Sequence, residues 1–88
     1  MALVHVPAPL RTLIGGESEL SVPGETLEDL IRNLDSKHPG IAARLTEGDR
    51  LRPGLAVFVD GAQATAGLRT RLNPESEVYF SPAISGGR

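Results

Sequence analysis

The sequence contains no cysteine among its 88 residues. That absence excludes disulfide staples, thiolate metal centres, iron–sulfur clusters and a cysteine nucleophile, and it suits a reducing cytoplasm. Tryptophan is also missing, and Phe58, Tyr79 and Phe80 are the only aromatics. No apolar run approaches the roughly 20 residues of a membrane-spanning helix; the longest obvious one is Leu55-Ala56-Val57-Phe58-Val59. Met1 to Pro7 have neither a basic stretch nor a long apolar core, so no secretion signal is expected. The nine Lys and Arg residues are scattered, with a formal net charge of −2, and this is not the basic footprint of a nucleic-acid binder. The expectation is a soluble, cytoplasmic protein with no membrane and no nucleic-acid partner.

Few groups remain that could do chemistry. His5 and His38 stand alone in the sequence, without the paired spacing of zinc ligands, so no metal site is expected. Glu25, Glu28 and Asp29 fall together where a helix begins, and negative charge there suits the helix dipole better than a catalytic carboxylate pair. Arg50, Arg52, Arg69 and Arg71 lie on loop-like segments, where scattered surface arginine is ordinary. A chain of this length forms one domain and buries only about 60% of its unfolded surface, which leaves little room for an enclosed active site.

What is present has a clear order. Leu3 to Val6 alternate, with Val4 and Val6 on one face and His5 on the other, and Pro7 closes the segment. Gly15-Gly16 marks a turn, and Glu19 to Val22 alternate again before Pro23-Gly24; the pair reads as a hairpin. Thr26 is a good N-cap, and Leu27, Leu30, Ile31 and Leu34 follow at the spacing of one helical face. Helix ends at His38-Pro39-Gly40, after which Ile41 and Leu45 suit a short second turn. Leu55 to Val59 form a strand, Asp60-Gly61 a turn, Gln63 to Thr65 a short strand, and Glu77 to Ser81 the last strand.

The expected order is β-β-α-β-β-β, with one helix covering one sheet face. This is an α+β fold of the β-grasp, ubiquitin-like kind: a mixed four- to five-stranded sheet packed on one main helix. Its expected core is Val4, Val6, Leu20, Leu27, Leu30, Ile31, Leu34, Leu55, Val57, Val59, Val78 and Phe80. The domain is expected to span residues 1–84, leaving 85–88 as a tail. Alternation then sends Phe58 and Tyr79 to the open sheet face, where His5 joins them. Exposed apolar clusters mark interaction sites, so His5, Phe58 and Tyr79 are the candidate docking patch; cross-strand stabilisation of the sheet is the alternative.

The tail is Ser85-Gly86-Gly87-Arg88. Two adjacent glycines lack Cβ atoms and make a thin thread that fits a narrow channel in another protein. Gly- and Ser-rich ends also arise from terminal disorder or cloning remnants.

Taken together, these segments resemble the ThiS/MoaD family of ubiquitin-like sulfur carriers, and within it the CysO type. The resemblance runs through Val4-His5-Val6-Pro7, Leu10-Arg11, Gly15-Gly16, Pro23-Gly24-Glu25-Thr26-Leu27 and His38-Pro39-Gly40-Ile41. It ends on its most specific block, Val78-Tyr79-Phe80-Ser81-Pro82-Ala83-Ile84-Ser85-Gly86-Gly87.

The resemblance implies a protein co-substrate, not an enzyme. A ThiF/MoeB-like adenylyltransferase would use ATP to activate the Gly87 carboxylate, a sulfur donor would convert it to a thiocarboxylate, and a biosynthetic enzyme would accept the sulfur. Cysteine or a related sulfur-containing product is the favoured destination, and no cofactor is expected to be bound. Gly86 and Ser85 would form the slim approach to that group. Arg88 departs from the family pattern, in which the second glycine is usually last, because it leaves the Gly87 carbonyl as an amide. Its prior removal by a JAMM/Mov34-type metalloprotease is the expectation. Two alternatives stand beside the carrier: a ubiquitin-like modifier forming isopeptide conjugates, for which Lys37 is the single lysine of the chain, and a non-covalent β-grasp interaction module.

Overall fold

The computed structural model describes residues 1–82. The expected domain boundary at residue 84 and the whole tail lie outside them. β1 (Ala2–His5) and β2 (Glu19–Val22) pair antiparallel with Val4 opposite Leu20, forming the expected hairpin. A two-glycine turn does not by itself join them: a 3-10 helix over Ala8–Ile14 intervenes, with Gly15 in the left-handed region at its end. Ile14 is thereby carried into the core.

The main helix, α1 (Leu27–Lys37), starts where the sequence says it should. The Thr26 hydroxyl accepts from the Asp29 backbone N–H at 3.2 Å, satisfying one of the donors that a helix start leaves unpaired. Leu27, Leu30, Ile31 and Leu34 are all buried, and each fully buried aliphatic side chain contributes about 1.5–3 kcal/mol. Gly24 lets the strand exit approach this helix. A Cβ at that position would lie 2.7 Å from the Leu30 nitrogen. A second helix, α2 (Ile41–Leu45), follows at once. The Asp35 carboxylate ties the two helices together by accepting from the Gly40 and Ala42 N–H groups at 3.0 Å each.

Beyond α2 the chain makes a small two-stranded ribbon that the sequence did not announce, β3 (Thr46–Glu47) with β4 (Arg50–Leu51). Strands β5 (Leu55–Val59) and β6 (Ala62–Gln63) then form a tight hairpin. Its turn is Asp60-Gly61, at φ 52° and 87°, the twin positive φ values that right-handed strand twist favours in a two-residue loop. β6 begins one residue earlier than expected and stops at Gln63. A short 3-10 turn, Gly67–Arg69, precedes backbone bonds from Leu27 N–H to Thr70 and from Leu72 N–H to Glu25.

The last strand, β7 (Glu77–Pro82), lies between β1 and β5. It runs parallel to β1, with Val4 opposite Val78, and antiparallel to β5, with Val57 opposite Phe80. The main sheet is therefore mixed, in the order β2-β1-β7-β5-β6, and the fold is β-grasp. Val4, Val57, Val78 and Phe80 meet the helical stripe in one core. Three expected core residues are only half-buried: Leu20, Leu55 and Val59. Leu20 belongs to the edge strand β2, and the other two sit at the two ends of β5. Ala2, Ile14, Val22, Ile41, Leu45 and Leu72 occupy the interior as well.

Candidate functional site

On the face turned away from the helices, one residue from each strand lines up across the whole sheet. Glu19 of β2 is opposite His5 of β1, His5 is opposite Tyr79 of β7, Tyr79 is opposite Phe58 of β5, and Phe58 is opposite Gln63 of β6. The three candidate docking residues are thus consecutive rungs of a single ladder. Their exposure differs: Tyr79 is 44% exposed, whereas His5 and Phe58 are half-buried. The His5 and Tyr79 rings stack with centroids 3.9 Å apart and planes within 1°.

Two carboxylates hold this pair in place. Glu77 Oε1 lies 2.9 Å from His5 Nε2 and accepts from the Tyr79 hydroxyl at 3.4 Å, while Glu19 Oε2 lies 3.5 Å from His5 Nδ1. Loss of surrounding water raises the Tyr79 hydroxyl above the ordinary phenol value of 10.0, and the Glu77 and Glu19 charges add to the effect. The phenol therefore keeps its proton throughout the neutral range. Toward the end of β1 a depression of about 320 Å³ is lined by His5, Arg11, Glu19 and Tyr79, among others. Arg11 is anchored at its rim, its Nε donating to the Val6 carbonyl at 3.0 Å.

A third carboxylate organises the foot of the last strand. Asp60 Oδ1 accepts from the Glu77 N–H at 2.9 Å, and Asp60 Oδ2 accepts from the buried Ser76 hydroxyl at 3.0 Å. The tight turn after β5 is thus tied to the residue that begins β7, and with it to the position of Glu77. Among the described residues no group of three His, Asp or Glu side chains could hold a metal ion, and no helix is long and apolar enough to cross a membrane.

The ThiS family model matches residues 4–87. The chain belongs to the ThiS family. Sulfur carrier protein CysO of Mycobacterium tuberculosis (strain H37Rv) is 29% identical, over 96% of each chain. Small archaeal modifier protein 3 of Haloferax volcanii is 30% identical, over 70% of each chain. Among solved structures, a chain of the Amycolatopsis orientalis BexX/CysO complex superposes with a TM-score of 0.93 at 30% identity, covering 99% of this chain and 100% of that one. The crystal structure of Mycobacterium tuberculosis CysO gives 0.89 at 27% identity, covering 96% and 100%. This ThiS-family chain is therefore CysO-like and ubiquitin-like in fold, and the relatives just named are a sulfur carrier protein and a small archaeal modifier protein.

Of the residues singled out in the sequence of this ThiS-family member, His5, Phe58 and Tyr79 are brought together. Ser85, Gly86, Gly87 and Arg88 lie outside the described residues. Glu19 and Glu77 were missed, although their signal was present: Glu77 is two residues before Tyr79 in the same strand and so shares its face.

Proposed function

We propose that this protein carries sulfur as a thiocarboxylate on Gly87, after Arg88 has been removed. The observation that carries the proposal is the extent of the family match, which runs through Gly87 and stops short of Arg88. The chemistry proceeds in three balanced steps. Water cleaves the Gly87–Arg88 amide, the role suited to a JAMM/Mov34-type metalloprotease, and frees the Gly87 carboxylate. That carboxylate attacks the α-phosphate of ATP on a ThiF/MoeB-like adenylyltransferase, releasing pyrophosphate and forming an acyl-adenylate. A sulfide equivalent then displaces AMP, leaving the thiocarboxylate. Each step answers a chemical need, because a carboxylate is a poor electrophile whereas the mixed anhydride has a good leaving group.

The sheet face serves as the handle for the activating enzyme. An aromatic held flat by stacking and by a carboxylate presents contact area at little cost in side-chain entropy. The sulfur would then pass to a biosynthetic acceptor, with cysteine or a related product favoured by the likeness to CysO.

The test uses three forms of the protein: the full chain, a form ending at Gly87, and that form with Gly87→Ala. Each is incubated with a ThiF/MoeB-like adenylyltransferase, ATP and sulfide, and its intact mass is recorded. Exchange of one oxygen for sulfur is expected only in the form ending in Gly87. Sulfur gain by the full chain with Arg88 still attached would refute the processing step.

A second assignment, a ubiquitin-like modifier forming isopeptide bonds through Gly87, draws on the similarity to a small archaeal modifier protein. Lysates would then contain covalent conjugates of this chain in place of a free thiocarboxylate. A non-covalent module would instead tolerate replacement of both Gly86 and Gly87.

A further inference from the structure

We propose that the open face beside Tyr79 receives an arginine side chain of the partner protein, so that the docking handle recognises a guanidinium and not only an apolar surface. This deepens the docking role given above and rests on it for the partner's identity. A depression of about 400 Å³ adjoins the Tyr79 ring and is lined by Asp60, Gly61, Glu77 and Tyr79. It contains two carboxylates, one phenol ring and no basic group. Glu77 Oε1 is taken up by His5 and Tyr79, whereas Oε2 has no hydrogen-bond partner among the described residues. Arg11 lines the separate depression at the other end of β1 and is anchored on Val6.

The occupant follows from that lining. A wholly apolar partner surface would cover Glu77 Oε2 without a hydrogen-bond partner, which is unfavourable. A cation removes the conflict. Arginine fits better than lysine because its planar guanidinium can lie on an aromatic face while its fork donates to a carboxylate, whereas an ammonium is a single compact charge. The stacked His5–Tyr79 pair fixes the ring in one orientation before the partner arrives, and Asp60 keeps Glu77 in register. Loss of surrounding water is the main cause of the raised Tyr79 pKa, and the Glu77 and Glu19 charges add to it.

The experiment titrates the whole chain with N-acetyl-arginine methylamide, with the leucine analogue as the neutral probe, and follows the Tyr79 and His5 ring signals by NMR. The arginine probe should shift both rings and the leucine probe should not. In Glu77→Gln, whose side-chain oxygen still accepts from His5, binding of the arginine probe should weaken roughly two- to fivefold. Raising the salt concentration should weaken it in the unaltered chain too, without touching the fold. An equal response to both probes, an undiminished response in Glu77→Gln, or insensitivity to salt overturns the proposal.

The enzymatic counterpart uses a ThiF/MoeB-like adenylyltransferase that activates this chain, where Glu77→Gln should raise the KM for the carrier by a similar factor. An unchanged KM overturns the assignment of the guanidinium to that partner. The NMR arm involves no activation, so a chain that binds the arginine probe but is never adenylated would sink the carrier function and leave this inference standing.

Discussion

The two faces of the main sheet are built from the same strands and differ in everything else. On the inner face Val4, Val57 and Val78 are buried against the helical stripe, and nothing there is polar. On the outer face the neighbouring residues, one position along each strand, are Glu19, His5, Tyr79, Phe58 and Gln63. The inner set determines whether the domain folds. The outer set lies outside the core cluster. Strand alternation thus lets adjacent residues serve unrelated ends in a domain too small to separate them.

The largest break in that contrast comes from the inner side. Leu30→Ala, at a fully buried position, should cost about 2–5 kcal/mol, measured by chemical denaturation, which is a large share of the stability of a domain this size. Gly24→Ala comes next. Its new Cβ would sit 2.7 and 2.8 Å from the Leu30 backbone, and the forced shift should cost about 1–3 kcal/mol in the same assay. Asp60→Ala removes the acceptor of the buried Ser76 hydroxyl and of the Glu77 N–H, for an expected loss of about 1–2 kcal/mol; it should also loosen the His5–Tyr79 stack, visible in aromatic NMR shifts. The outer side behaves in the opposite way. Phe58→Ala with Tyr79→Ala should change stability by about 1 kcal/mol or less and still weaken adenylation by a ThiF/MoeB-like enzyme. Unchanged activation kinetics would remove the docking role.

The smallest effect is a titration. The Tyr79 phenol should ionise above 10.0, followed by ultraviolet absorbance, and Glu77→Gln should bring the midpoint down. The folded phenol holds its proton to higher pH than the unfolded one. Its contribution to stability is therefore present below the unfolded value and lost as pH rises through the folded value.

Much of this architecture was legible in the sequence because it is written in periodicity. The burial of Val4 and Val6, although β1 itself stops at His5, the helical spacing from Leu27 to Leu34, the Thr26 cap and the Asp60-Gly61 turn each emerged as expected. The 3-10 helix that buries Ile14 and the ribbon of β3 and β4 did not, because segments of two to seven residues carry too few periods to be distinguished from loops. Leu20, Leu55 and Val59 were assigned to the core on alternation alone, and alternation gives the face of a strand without saying how far the helices extend over it. The candidate patch of His5, Phe58 and Tyr79 was picked out by its rings. Its carboxylates were passed over because surface Glu is common, and only the cross-strand register shows that Glu19 and Glu77 flank one histidine.

The parallel pairing of β1 with β7 has a consequence for the order of events during synthesis. The strand at the centre of the sheet is the last of the described strands to be made, so neither hairpin can join the other until residues 77–82 have left the ribosome. Contacts so distant along the chain close slowly. The outer ladder, which takes its middle rung from Tyr79, cannot exist before that moment. Under the docking role proposed above, partner recognition through this face therefore requires that β7 has been made.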